Sequence, residues 1–254
     1  MFNPAGGFAT TKTLDFFIDN SLYNTTTCET NQNIVLPDTP PEKPGYNFAG
    51  WRAIKYTPVE YLENSGTQYI DTGFKPNQNS GIDIDFFSNR TQGSIIGSVC
   101  DTANQYAYTF GIQANSTVST TDMLIYTSKN TSRYQNYWRI ENLYNNGNGR
   151  YQVQINGRTA SVLASNNTTL THTFPSDTYQ IPFSLYLFAS NRGTNAIISP
   201  ETKIYSCKLY DNNTLVHDFI PVLDEKNIPC MYDKITHSFF YNAGTGDFIA
   251  GPTI

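Results

Sequence analysis

The sequence predicts an all-β protein with a β-sandwich as its main body, and three observations carry this. Aromatic residues make up 14% of the chain, with 18 Tyr and 16 Phe, against 15% charged residues. Flat and branched side chains with few charges suit strands. Ten or more short segments have strand length and strand patterning, and no stretch sustains an apolar period of 3.6 residues. The connections between them are rich in Gly and Asn, the residues that turns between strands demand.

Taken in order, residues 13–18 (TLDFFI) and 33–36 (NIVL) read as strands. Pro37, Pro40, Pro41 and Pro44 then preset an extended path. Gly45 supplies a turn, and Tyr46, Phe48 and Trp51 supply the core of a small first unit, residues 1–52. Residues 53–57 read as a linker opening the second unit, residues 53–254. There, residues 58–73 (PVEYLENSGTQYIDTG) are strand, turn, strand. Strand candidates follow at 81–87, 94–99, 106–113, 123–127, 137–144, 150–155, 158–163, 169–174 and 183–190. Asn156-Gly157, between QVQI and RTASV, is the strongest hairpin signal in the chain.

Residues 203–222 (KIYSCKLYDNNTLVHDFIPV) read as a second hairpin. Tyr205, Cys207 and Leu209 alternate with Ser206, Lys208 and Tyr210, which places the two sets on opposite faces. Asp211-Asn212-Asn213-Thr214 makes the turn, and Pro221 confines the end of the second strand to an edge or an exit.

Two stretches resemble known families. PPEKPGYNFAGW, residues 40–51, resembles the closing signature of the Listeria–Bacteroides surface repeat, a small β-grasp-like module, and Phe2-Asn3-Pro4-Ala5-Gly6-Gly7 resembles its start. That resemblance implies a spacer or presentation module on a cell surface. EYLENSGTQYIDTG, together with KIYSCKLYDNNTLVHDFIPV and MYDKITHSFFYNAGTGDF, resembles the two ends of a concanavalin A-like (laminin G-like) jelly-roll module. Such modules occur on gut-bacterial surface proteins and in phage tail or virion proteins, and their two ends lie side by side in one sheet. The resemblance implies a glycan or a cell-surface protein as partner, at the cell surface or on a virion, with self-assembly left open.

Composition excludes several other functions. The net charge is −5, and the 16 Lys and Arg are spread thinly, so no basic cluster exists to displace counterions from nucleic acid. No apolar run approaches the roughly 20 residues that span a bilayer. The first 17 residues lack a basic patch followed by an apolar core, so no signal peptide is read there. Cys28, Cys100, Cys207 and Cys230 have no zinc-site spacing and are read as buried thiols, with a Cys207–Cys230 bridge as the alternative.

The residues offer little chemistry. Laminarinase-type hydrolases of the concanavalin A-like fold carry Glu-Ile-Asp-Ile-Glu on one strand, whereas this chain has Gly81-Ile82-Asp83-Ile84-Asp85. Gly81 cannot be a nucleophile, and Asp83 and Asp85 read as the outward face of an alternating strand, so no enzyme is expected. His217 alternates with core residues and is read as a packed or edge histidine rather than a base, and His172 and His237 lie far from it in sequence. No metal site is expected. Calcium is the one cofactor left open, through the loop acids Asp101, Asp122 and Asp177. For ligand binding the candidates are Tyr106, Tyr108, Tyr134, Tyr137, Trp138, Asn191, Arg192 and Asn195: rings that stack on sugar faces and amides that bond hydroxyls.

Overall fold

The computed structural model describes residues 11–18, 21–29, 33–51, 54–88, 93–102, 105–114, 122–129, 137–141, 143, 149–163, 167–198 and 201–254. The chain divides into two units, residues 1–54 and 55–254. The first holds an antiparallel pair, β1 (Thr11–Ile18) and β2 (Ser21–Glu29). Trp51 is its centre, with ring centroids 4.9 Å from Phe16, 5.1 Å from Phe48 and 5.7 Å from Tyr23. Two expectations for this unit are corrected. The partner of β1 is the Thr-rich run of β2, and Ile34, Val35 and Leu36 are exposed without strand pairing. Pro37 follows them at once and lacks the N–H that a ladder would need. Tyr46 is 71% exposed, with the Lys43 ammonium 4.5 Å from its ring, so it is no core residue. The stretch from Phe2 to Gly7 lies outside the described residues.

The second unit opens with β3 (Tyr56–Pro58), β4 (Leu62–Glu63), β5 (Ile70–Asp71), β6 (Ser80–Ser88) and β7 (Gly93–Thr102). Then come β8 (Gln105–Ala114), β9 (Met123–Lys129), β10 (Tyr137–Ile140), β11 (Arg150–Asn156), β12 (Thr159–Leu163) and β13 (Thr169–Thr173). The chain continues through β14 (Tyr186–Leu187), β15 (Ala189–Asn191), β16 (Ala196–Ile198), β17 (Thr202–Asp211) and β18 (Thr214–Asp224). It closes with β19 (Pro229–Asp233), β20 (Ser238–Phe240) and β21 (Ile249–Ala250). No α-helix occurs among the described residues.

These strands form two sheets face to face, the expected all-β sandwich. One runs β13-β12-β11-β6-β17-β18-β19-β20, and the other β10-β9-β8-β7-β14-β5. Between them, Ile82, Ile84, Phe86, Val153, Ile155 and Leu209 from the first meet Ile96, Phe110, Ile112, Ile125 and Leu187 from the second in one core. The two ends of the unit do lie together: β4 pairs with both β17 and β21, and Val59 bridges to Thr253.

Several local expectations change for identifiable reasons. Residues 56 and 57 were assigned to a linker, but they belong to β3, which pairs with Val222–Asp224 of β18. Pro221 sits inside β18, where the ladder on one side passes from β17 to β3, a position that needs no N–H. Alternation alone puts Tyr205 with Cys207 and Leu209, but a bulge after Ile204 in the β17–β6 ladder turns it outward. The segment 183–190 is two short strands, split at Phe188, which is buried with φ 66° and packs on Phe248 at 4.7 Å. β14 runs antiparallel to β7 and β15 parallel to it, so the chain reverses there. Within the expected strand 137–144 the described strand is Tyr137–Ile140.

Cys207 and Cys230 are both buried free thiols in separate apolar clusters. Burial pushes the Cys207 thiol well above its ordinary range and the Cys230 thiol up to about 12. Cys28 and Cys100 are half-buried. Thermal melts with and without reductant should therefore coincide. A fall in Tm of more than about 10 °C on reduction would mean that a disulfide stabilises the fold by several kcal/mol.

Candidate functional site

Strand β6 sets the geometry of the outer face of the larger sheet. From Ile82 its burial alternates, so Ile82, Ile84 and Phe86 enter the core while Asp83, Asp85 and Phe87 face outward; Gly81 shares their side of the sheet but is buried beneath Tyr210. Neighbouring strands repeat the pattern. Arg150, Gln152, Gln154 and Asn156 of β11 face outward on one side, and Ser206, Lys208 and Tyr210 of β17 on the other.

The face has two chemically different ends. At the Phe87 end the rings are already covered. The Arg150 guanidinium lies 3.6 Å over the Tyr205 ring and makes two hydrogen bonds to Asp85, of 2.9 and 3.1 Å. The Lys203 ammonium lies 4.4 Å from the Tyr61 ring and 3.6 Å from Glu63. Each carboxylate is matched to a cation, and each cation to an aromatic face.

At the Gly81 end the face is open. A groove of about 280 Å³ is lined by Gly81, Asp83, Gln154, Asn156, Tyr210 and Asn213, over the chain at Ile82 and Ile155. Gly81 is its floor because nothing larger fits easily. An added Cβ would stand 2.9 Å from the Ile155 carbonyl oxygen, 3.2 Å from Tyr210 Cβ and 3.5 Å from Tyr210 Cδ2. Tyr210 thus leans over a position without a side chain. A bulge assists it: the β17–β18 register jumps from Leu209–His217 to Tyr210–Leu215. Asp83, the groove's carboxylate, receives the Gln154 amide at 3.4 Å.

Two hairpin turns make the rim: the Asn212-Asn213 turn falls where the sequence places it, and the other lies one residue beyond the expected Asn156-Gly157 pair. Asn212 and Asn213 both have positive φ, 49° and 64°, the type I′ pattern that suits the strand twist. In the other hairpin the two-residue loop is Gly157-Arg158, with Gly157 at φ 53° and Asn156 in the last strand pair. The turn at 77–80 lies between them. Asn77 Nδ2 donates to Asp211 at 3.1 Å, Asn79 Nδ2 to Asn212 at 2.9 Å, and the Gly157 N–H to the Ser80 carbonyl at 3.1 Å. From behind, the Thr127 hydroxyl donates to the Gly157 carbonyl at 2.9 Å. The rim is held by hydrogen bonds before any ligand arrives.

The residues singled out from the sequence are not gathered in this way. Tyr106 and Tyr108 are on β8 in the other sheet, with side chains outside the described set, and Tyr134 lies outside the described residues. Trp138 stacks on His172, centroids 5.4 Å apart and planes within 15°, closing the gap between edge strands β10 and β13. It is a seal rather than an open platform. Tyr137 packs on Tyr126 at 5.7 Å. Asn191 is buried, its amide donating to Ser184 O at 3.0 Å and its carbonyl accepting from Gly193 N at 2.8 Å, so it shapes its own turn. Arg192 is half-buried and Asn195 exposed in that same turn. Strands β9, β8 and β7 separate Trp138 from this loop. Of the acids considered for calcium, Asp122 is buried and ion-paired with Arg139, and Asp177 is half-buried. No group of three or more His, Cys, Asp or Glu is placed to hold a metal among the described residues.

His217 and Asp233 form a close acid–imidazole pair in the larger sheet, with Nδ1 2.7 Å from Oδ2. The imidazole stacks within 8° on Phe219 and meets the rings of Phe74 and Phe240 edge-on, so it is a packing residue. Burial by itself would raise the Asp233 carboxyl. The hydrogen bonds from His217, the Asp218 N–H, Thr236 and the Ile235 N–H outweigh burial and hold it at about 2.

No protein-family model matches the chain, and no curated protein matches it. Among solved structures it is similar to the mouse laminin alpha1 chain, domains LG4-5, at 11% identity and a TM-score of 0.40, over 64% of this chain and 44% of that one.

Because Asp233 titrates lower in the folded chain than the ordinary value of about 3.9, its stabilisation is complete above pH 4 or so. It is lost as the pH falls toward about 2. Denaturant unfolding at pH 6 and pH 3 should show this loss, on the order of 1–2 kcal/mol. Asp233→Asn should be less stable at pH 6 and should lack that share of the acid dependence. Equal pH profiles for the two proteins would contradict this account of the turn.

Proposed function

We propose that the chain is a non-enzymatic binding protein and that the groove over Gly81 takes one unit of a glycan on a cell surface. The observation that carries the reading is the placement of Gly81 between Tyr210 and Asn156 in one register row. A backbone floor beneath Tyr210, an aromatic wall and three amides match what a sugar ring presents: an apolar C–H face and a rim of hydroxyls. Asp83 adds an acceptor for two hydroxyls. The N-terminal unit, with its resemblance to a surface repeat, serves in this reading as the spacer that presents the sandwich.

Hydrolysis is a poorer reading of the same face. Retaining cleavage needs two carboxyl groups about 5 Å apart, and inverting cleavage about 6.5–9.5 Å, on opposite sides of the bond. Asp83 is in the groove, but Asp85 is held by Arg150 and Gln152 on the same wall.

A glycan array should identify binders, and titration calorimetry should then locate the site. Tyr210→Ala should weaken binding by roughly fivefold to tenfold, the worth of one ring contact, with no change in Tm. A reducing-end assay on the bound polysaccharide should show no turnover. Binding untouched by both Tyr210→Ala and Asp83→Asn would remove the groove from the account, and turnover abolished by Asp83→Asn would make the protein an enzyme.

A further inference from the structure

The groove is one end of a longer row. Tyr210 pairs with Gly81, Gly81 with Asn156, Asn156 with Thr159, and Thr159 with Thr173. Directly paired residues share a sheet face, so these five positions form a line across β17, β6, β11, β12 and β13. Four steps between strands make it about 19 Å long. Asn156, Thr159 and Thr173 are exposed on this face, and nothing in the row carries a charge. Arg158, exposed in the turn before Thr159, donates its Nε to the Phe174 carbonyl at 3.1 Å.

The next row along the strands differs. It reads Lys208, Asp83, Gln154, Ser161 and Thr171, so charge enters on β17 and β6. The row after that holds Asp85 with its bound Arg150. On β17 and β6 the uncharged positions are therefore confined to one line, which continues perpendicular to the strands through Asn156, Thr159 and Thr173, while over β11, β12 and β13 the neighbouring row Gln154, Ser161 and Thr171 is uncharged as well. Amides and hydroxyls both donate and accept, as a row of sugar hydroxyls requires. The Thr159 hydroxyl donates to the Asn156 carbonyl at 3.1 Å, which leaves its lone pairs to accept.

We infer that the site is extended and takes a linear, uncharged oligosaccharide lying across the strands, with one unit in the Gly81 groove and later units over Asn156, Thr159 and Thr173. The inference rests on the reading of the groove as a sugar site and adds the ligand's length, direction and lack of charge. Asp83 in the groove lining disfavours uronic or sulfated units there, because like charges repel, and its register partner Lys208 is not part of that lining.

The test is a nuclear magnetic resonance titration of the full chain. The probes are neutral gluco-, galacto-, manno- and xylo-oligosaccharides of two and six units, and the matching oligouronates. For a neutral series that binds, the hexamer should bind about tenfold more tightly than the dimer, the effect of two or three added hydrogen bonds. The double variant Thr159→Ala/Thr173→Ala should weaken the hexamer at least about threefold and leave the dimer unchanged. Amide shifts should extend from Gly81 to Thr173 with the hexamer only. Dimer and hexamer binding equally at the groove, or oligouronates binding as well as neutral chains, would overturn the extended uncharged site while leaving the groove intact. No shift at Gly81, Asn156 or Tyr210 with any probe would overturn both.

Discussion

The structure depends on the register of one strand. β6 lies at the middle of the larger sheet, with β11 on one side and β17 on the other. Burying Ile82, Ile84 and Phe86 is worth roughly 1.5–3 kcal/mol each. A slip of one residue would carry Asp83 and Asp85 into the core and those three into water. Because the slip is so costly, the outward set is settled as firmly as the inward one. Everything on the face follows from that: the bare position at Gly81, the acid beside it, and the partners that β11 and β17 bring opposite them.

The same register explains why one sheet face carries two environments. Toward Phe87, the bulge at Tyr205 adds an outward ring where alternation would have hidden it, and Arg150 and Lys203 settle on the rings that result. Toward Gly81, both neighbouring hairpins turn, and their Asn-rich loops rise around a position with no side chain. Cations saturate the first end from within. Only the second end offers ring and amide surface whose geometry is held by the turns beneath it.

Much of this architecture was legible in the sequence, and for physical reasons. The strands with clean alternation, such as β6 and β11, sit where their pattern puts them, because one face of each must be buried. The Asn212-Asn213 hairpin forms because both residues accept left-handed backbone, and in the other hairpin Gly157 does so while Asn156 stays in the strand. What could not be read were local departures from period two: the bulge at Tyr205, the reversal at Phe188, and the passage of β18 from one neighbour to another at Pro221. Each depends on the partner strand. The candidate site was hidden for a related reason. Gly81 could be recognised as a missing nucleophile, but Tyr210, Asn156 and Asn213 looked like ordinary strand and turn residues until registration set them around it. Trp138 and Asn191 suggested a site by residue type, yet one seals the sandwich edge and the other builds its own turn.

The most direct measurement is a crystal structure of the protein grown with a neutral hexasaccharide selected from an array. This account predicts sugar density over the backbone of Gly81, with a ring against Tyr210 and the chain running toward β13 across Asn156. Ordered sugar at the Arg192–Asn195 turn or against Trp138, with the Gly81 groove empty, would contradict it.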